Sequence, residues 1–251
     1  MSRPPRYTVQ ILLPHLVPVN PYSVCSHLKT WRPDVDLVEA ELFHTAITIP
    51  TADLPVLVDI FQAAPETYAT ALTEALRWTA PWPELDDSLG RARASIVVSM
   101  APERQLNHAS MLLAFLAVLD TVLIDLSDDT RAAAVLHWLP SLQVMSFERY
   151  RNLRTELGPC GPAVNVRLAR GAHPGELLAD TIGLAVLGLP DLQVSFRESE
   201  RSAEEVRLRL VLMVRGLFVG DDIPCAWTEE ESLAPPMRDA LTLQLDQGDF
   251  G

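Results

Sequence analysis

The chain has 251 residues, 48% hydrophobic and 21% charged, a balance that excludes disordered, collagen-like and disulfide-scaffold classes and leaves room for one large domain or two small ones. Thirty-three acidic side chains against 20 basic ones give a formal charge of −13. That surplus repels phosphate backbones and anionic lipid, so the expected partner is a basic protein, with no nucleic acid and no membrane.

Tyr7 to Leu13 begins with alternating character and predicts a first strand. Ser23 to Trp31 predicts a short helix before Pro33, and the β-branched run His44 to Ile49 predicts a second strand that stops at Pro50. Helices are expected over Leu54 to Ala63 and Thr67 to Thr79, then a loop over the proline- and aspartate-bearing segment Pro81 to Gly90. Ala92 to Met100 carries the unbroken run Ile96-Val97-Val98 of a buried strand. Pro102 and Glu103 mark the start of a helix reaching about Val122, with apolar residues nearly all round it. Arg131 to Leu139 is short and ambiguous, and Ser146 to Leu157 reads as a polar helix.

The pattern restarts at Pro162. Ala163 to Leu168 alternates as a strand, and Ala179 to Leu187 with Leu192 to Phe196 reads as a β-hairpin around Gly188-Leu189-Pro190, a helix over Glu176 to Leu187 being the rival. Ser202-Ala203-Glu204-Glu205 has the form of a capping box, followed by the amphipathic stripe Val206, Leu210, Met213, Val214 and Leu217 and an end near Gly220. Leu241 to Leu245 is a last short strand. The fold class expected from this order is α+β, antiparallel sheets covered by helices, in two sub-domains (1–157 and 158–251) compatible with a diverged duplication.

Three scattered cysteines, Cys25, Cys160 and Cys225, form no C-x-x-C pair, which points to free thiols in a reducing compartment; Cys160, in a Gly-Pro turn, is expected to be exposed. No positively charged leader precedes a hydrophobic region at Met1 to Leu13, and the longest apolar stretch, Met111 to Leu119, is too short to span a bilayer, so a cytoplasmic chain is expected. Lys29 is the single lysine among the 20 basic residues. A GC-rich genome explains that bias, the rival being arginines placed for forked pairing with carboxylates.

Nucleotide-binding glycine loops, H-E-x-x-H, G-x-S-x-G and calcium-loop motifs are all missing from the sequence. The six histidines are spread singly, without ligand spacing, so neither a metal nor a cofactor is expected. His108, on the long apolar helix, reads as a hydrogen-bonded structural histidine, and His137-Trp138 as packing at a strand end. Charge runs are ordinarily solvated faces. In so acidic a chain they are also the natural contact sites for a cationic partner: Asp125, Asp128 and Asp129 after the long helix beyond Asp120, Asp221 and Asp222, and Glu229, Glu230 and Glu231.

The strand Ala94-Ser95-Ile96-Val97-Val98, the segments Leu116 to Leu119 and Val135 to Trp138, the strand Val164 to Leu168, and above all Asp180-Thr181-Ile182-Gly183-Leu184 with Leu187-Gly188-Leu189-Pro190-Asp191-Leu192 together resemble a bacterial family, domain of unknown function 4261. The resemblance covers about half of the chain, from Ala94 to Trp227. It implies a cytoplasmic accessory protein, some members being similar to immunity proteins encoded beside secreted toxins, and it brings no catalytic residues with it. Thr181, Gly183, Gly188 and Pro190 have a structural account as turn formers.

The leading expectation is therefore a non-enzymatic immunity-type protein that occludes a cognate basic secreted toxin or effector, with Asp128, Asp129, Glu229 and Glu230 pairing with its cations and Trp227 or Trp138 as apolar anchors. An enzyme of unrecognised type, such as a hydrolase reversing a toxin's modification, would draw on His108, His137 and Asp120. A regulatory or structural homodimer built through the apolar helices is the third reading.

Overall fold

A computed structural model describes residues 7–41, 43–51, 55–79, 81–101, 108–171, 173–187, 189–219, 226–230 and 240–244. The chain is an α+β protein that divides into two compact units, Met1–Pro162 and Ala163–Gly251.

The first unit is built on a seven-stranded, wholly antiparallel sheet. Its strands are β1 (Tyr7–Leu13), β2 (Asp36–Ala40), β3 (His44–Ile49), β4 (Val56–Ala63), β5 (Ala94–Met100), β6 (Val135–Trp138) and β7 (Gln143–Ser146), in the order β2-β3-β4-β5-β1-β6-β7. The helices are α1 (Pro21–Trp31), α2 (Ala69–Trp78), α3 (Leu85–Arg91), α4 (His108–Asp125), α5 (Asp128–Ala132) and α6 (Phe147–Leu157). The register Val9↔Val98 and Val9↔Trp138 puts Tyr7, Val9, Ile11 and Trp138 on one sheet face. Phe115 of α4 packs there, its ring 5.5 Å from Tyr7 and 5.7 Å from Trp138. On the opposite face Leu12, Val135 and Val144 pack with Ala75 of α2 and Leu85 of α3. Both faces of the central strands are thus covered, which is why β1 and β5 are buried at every position.

Three expectations are corrected by this unit. The segment Leu54 to Ala63, expected as a helix, forms strand β4 over residues 56–63, because Val56, Val58 and Ile60 are buried in a two-residue period with Leu57 and Asp59 turned away. The expected loop Pro81 to Gly90 contains helix α3, with Asp86 and Asp87 in its first turn and Leu85 and Leu89 packed on the core at i, i+4 spacing. Cys160 is buried rather than exposed, since its 3₁₀ turn (Gly158–Cys160) folds back on α4 and α6 and the thiol donates to the Leu157 carbonyl at 3.3 Å. Pro102 and Glu103, the expected start of α4, lie outside the described residues.

The second unit carries a five-stranded sheet in the order β11-β12-β10-β9-β8, from β8 (Asn165–Arg170), β9 (Glu176–Ile182), β10 (Asp191–Arg197), β11 (Ala226–Glu230) and β12 (Ala240–Gln244). All pairs are antiparallel except β10 with β12. Helix α7 (Ala203–Val219) packs on β8 and β9 and buries Val206, Leu210 and Val214. Ser202 opens it, its Oγ accepting the Glu205 amide at 3.2 Å. The hairpin is β9 with β10, so the segment from Glu176 is a strand rather than a helix. It ends at Ile182, short of Leu187, because Gly183 turns the chain at a φ of 117° into a 3₁₀ turn (Ala185–Leu187). Gly188 and Gly220 lie outside the described residues. Among the described residues no helix is long and apolar enough to cross a membrane.

Candidate functional site

The carboxylates fall into two sets, those tied to a partner inside the protein and those left uncommitted. The second unit holds the most deeply tied. Strand register places Arg167, Asp180 and Gln193 in a row across β8, β9 and β10. Arg167 donates from Nε to Asp180 Oδ1 at 2.8 Å and from Nη2 to Oδ2 at 2.6 Å, and both residues are at most 2% exposed. The forked arginine pairing is thus realised at this position. Burial pushes the Asp180 carboxyl upward while the Arg167 guanidinium pulls it down.

Asp191 closes the hairpin. Its Oδ1 accepts the Leu184 amide at 3.0 Å and the Thr181 hydroxyl at 3.3 Å, and Thr181 Oγ1 in turn accepts the Leu192 amide at 2.7 Å. Burial raises Asp191 to about 7, against the pull of those donors. Asp180, Thr181 and Asp191 are therefore spent on holding strands and turn together.

The first unit contains an open groove of about 1090 Å³ where the starts of α3 and α6 meet the end of α4 and helix α5. Asp120 on α4 accepts from the Tyr150 hydroxyl and, at 2.9 Å, from Arg154 Nη2. It also lines two smaller cavities, of about 330 and 320 Å³, beside α6 and between α1 and α4. Burial lifts Tyr150 well above its ordinary range and the neighbouring Asp120 carboxylate adds to that lift, so the phenol stays protonated and donates. Asp128 pairs with Arg131, whose guanidinium lies 5.4 Å from the Phe147 ring centroid; Arg151 lies 5.9 Å from the same ring. Glu84, just before α3, and Glu148, in the first turn of α6, also line the groove and make no ion pair among the described residues.

The expected contact residues are distributed as follows. Asp125 accepts from Ser23 Oγ at 2.7 Å and is half-buried; Asp128 is exposed at the groove in its pair with Arg131; Asp129 is exposed in the first turn of α5. Trp227, Glu229 and Glu230 lie on β11, in register with Leu243, Leu241 and Ala240 of β12. Asp221, Asp222 and Glu231 lie outside the described residues.

Of the three residues drawn on for an enzyme, His137 and Asp120 share no hydrogen bond, and the His108 side chain lies outside what is described. His137 is fully buried on β6, opposite Gln10 of β1, and neither ring nitrogen has a hydrogen-bond partner among the described residues. The packing role expected of His137 at a strand end fits this placement. Desolvation lowers its pKa to about 4, so the ring is neutral at any ordinary pH. Asp120 has Tyr150 and Arg154 as partners instead, and His108 opens α4. Trp138 is likewise fully buried, against Phe115, and offers no surface as an anchor. Among the described residues no group of three histidine, cysteine or acidic side chains is placed to hold a metal ion.

Sequence reasoning missed Glu84, Arg131, Phe147, Glu148 and Arg151. They come from three separated segments, and the one local signal is Phe147, an aromatic at the head of an otherwise polar helix. Comparison with known protein families, with curated proteins and with solved structures returns no match.

Proposed function

We propose that this chain is a cytoplasmic immunity-type protein, related to the domain of unknown function 4261 family, that binds a cognate basic toxin and blocks it by occlusion without chemistry of its own. The observation that carries the reading is the division of its carboxylates. Asp180 and Asp191 in the second unit, and Asp120 in the first, are engaged by Arg167, by backbone and Thr181, and by Tyr150 with Arg154. Glu84, Glu148 and Asp129 are exposed or groove-lining, without an ion pair among the described residues, on a chain of charge −13. Tied interior charge gives a rigid scaffold, and uncommitted surface charge steers and holds a cationic partner. Against a catalytic role stands the placement of His137, neutral, fully buried and without a hydrogen-bond partner among the described residues.

Immunity genes ordinarily adjoin the gene of their toxin, so the test is co-expression with the product of the adjacent gene. The expected result is a stoichiometric complex on gel filtration and relief of growth arrest. Free components, with growth arrest undiminished, would overturn the reading.

A further inference from the structure

We infer that the groove of the first unit is the docking site for an arginine-bearing amphipathic segment of a protein partner, held between Glu84 and Glu148. The inference rests on the proposed function for the existence of a basic partner, and adds where that partner sits and what it presents. At about 1090 Å³ the groove lies at the upper end of what a compact small-molecule pocket encloses, and it is open, so it suits a turn of helix or an extended segment. Its walls combine apolar surface with charge. Ile124 of α4 is 58% exposed, and Trp82 is half-buried at the entrance to α3.

The charge already satisfied decides the sign of the occupant. Asp120 is engaged by Tyr150 and Arg154, and Asp128 by Arg131. Of the remaining ionic groups lining the groove, Glu84 and Glu148 are carboxylates without an ion pair among the described residues, and Arg151 is spread against Phe147. A cation entering here gains two uncommitted carboxylates, while an anion meets one guanidinium and the repulsion of both glutamates. The apolar strip accepts the other face of an amphipathic segment, which is the usual source of affinity in a groove of this kind.

The probe is an alanine-based helical peptide carrying leucine and arginine at i, i+4 spacing, with a twin in which glutamate replaces each arginine, added to the full chain. Amide chemical shifts are expected to move with the arginine peptide in residues 82–88, 123–132 and 146–151, and not with the glutamate twin. Anisotropy is expected to give about a fivefold weaker Kd for E84Q/E148Q, the scale of two partly exposed ion pairs, and an unchanged Kd for E204Q/E205Q on α7. Shifts centred elsewhere, equal binding of the glutamate twin, no binding, or full affinity in E84Q/E148Q would each overturn the docking site. The toxin complex is scored separately. A complex that E84Q/E148Q leaves intact sinks the groove and spares the proposed function, whereas peptide binding here without a toxin complex does the reverse.

Discussion

Arg167 and Asp180 face each other across β8 and β9 and are joined by two hydrogen bonds, at 2.8 and 2.6 Å, with almost no solvent access to either. Removing one partner leaves the other charge buried and unpaired. Arg167→Met or Asp180→Leu alone is expected to cost about 3–5 kcal/mol, while the double substitution, which removes both charges, costs much less. Hydrogen exchange of the β8 and β9 amides in denaturant measures each. Single and double variants of equal stability would show that the pair is not closed.

Asp191 makes the second unit sensitive to pH in one direction. Its folded pKa is raised from 3.8 to about 7, so the unfolded chain releases this proton more readily than the folded one. Stability from this group is fully present below about pH 4 and is lost as pH rises to about 7, by on the order of 4 kcal/mol at the upper limit. Asp180, also raised, acts with the same sign. Asp191→Asn keeps an acceptor for Leu184 and removes the titration, so it is expected to flatten most of the slope in exchange rates of β9 and β10 between pH 5 and 8. A D191N chain with the parent's slope would contradict this assignment.

His137 gives the first unit the opposite response. Its folded pKa is lowered from 6.5 to about 4, so the unfolded chain takes up the proton first and stability falls as pH drops from about 6.5 towards 4. Because neither ring nitrogen is bonded among the described residues, His137→Met is expected to hold or raise stability, by up to about 2 kcal/mol, and to remove that acid loss. Thermal unfolding at pH 5 and pH 7, read through exchange in β1 and β6, tests both. A Met variant less stable by more than about 2 kcal/mol would mean that the imidazole is held by something in the folded protein.

Those parts of the fold that are written in local periodicity can be read from the sequence. The strands Tyr7–Leu13 and His44–Ile49, the buried run at Ile96-Val97-Val98, the Ser202 cap and the apolar stripe of α7 are each legible over a few neighbours. Strand β4 reads as a helix because its run of apolar residues hides the two-residue alternation that separates Val58 from Leu57. Helix α3 is hidden by Pro81 and Pro83 just ahead of it and by Asp86 and Asp87 in its own first turn, residues that read as a loop. The site is far less legible. Glu84, Asp128 and Glu148 meet only after the chain has folded α3, α5 and α6 together, and no spacing in the sequence joins them. The acidic runs are visible, but which carboxylates are tied depends on distant partners, as with Asp120 held by Tyr150 and Arg154.

Gly161 packs so closely on α6 that a Cβ would press into the Leu153 carbonyl oxygen. Backbone cannot yield as a side chain can, so Gly161→Ala is expected to destabilise the first unit by roughly 1–3 kcal/mol and to raise the reactivity of the buried Cys160 thiol next to it. Timed thiol labelling reports the opening. Gly90, with open space at its Cβ, is the control: Gly90→Ala is expected to be neutral or stabilising and to leave labelling unchanged.

Uncommitted negative charge is the proposed means of recognition. Its most direct measurement is the association rate of this chain with the product of the adjacent gene, the proposed toxin, followed by stopped flow as ionic strength rises. The rate is expected to fall steeply with salt, and the E84Q/E148Q chain to associate more slowly with a shallower dependence. A rate indifferent both to salt and to the loss of those two charges would contradict it.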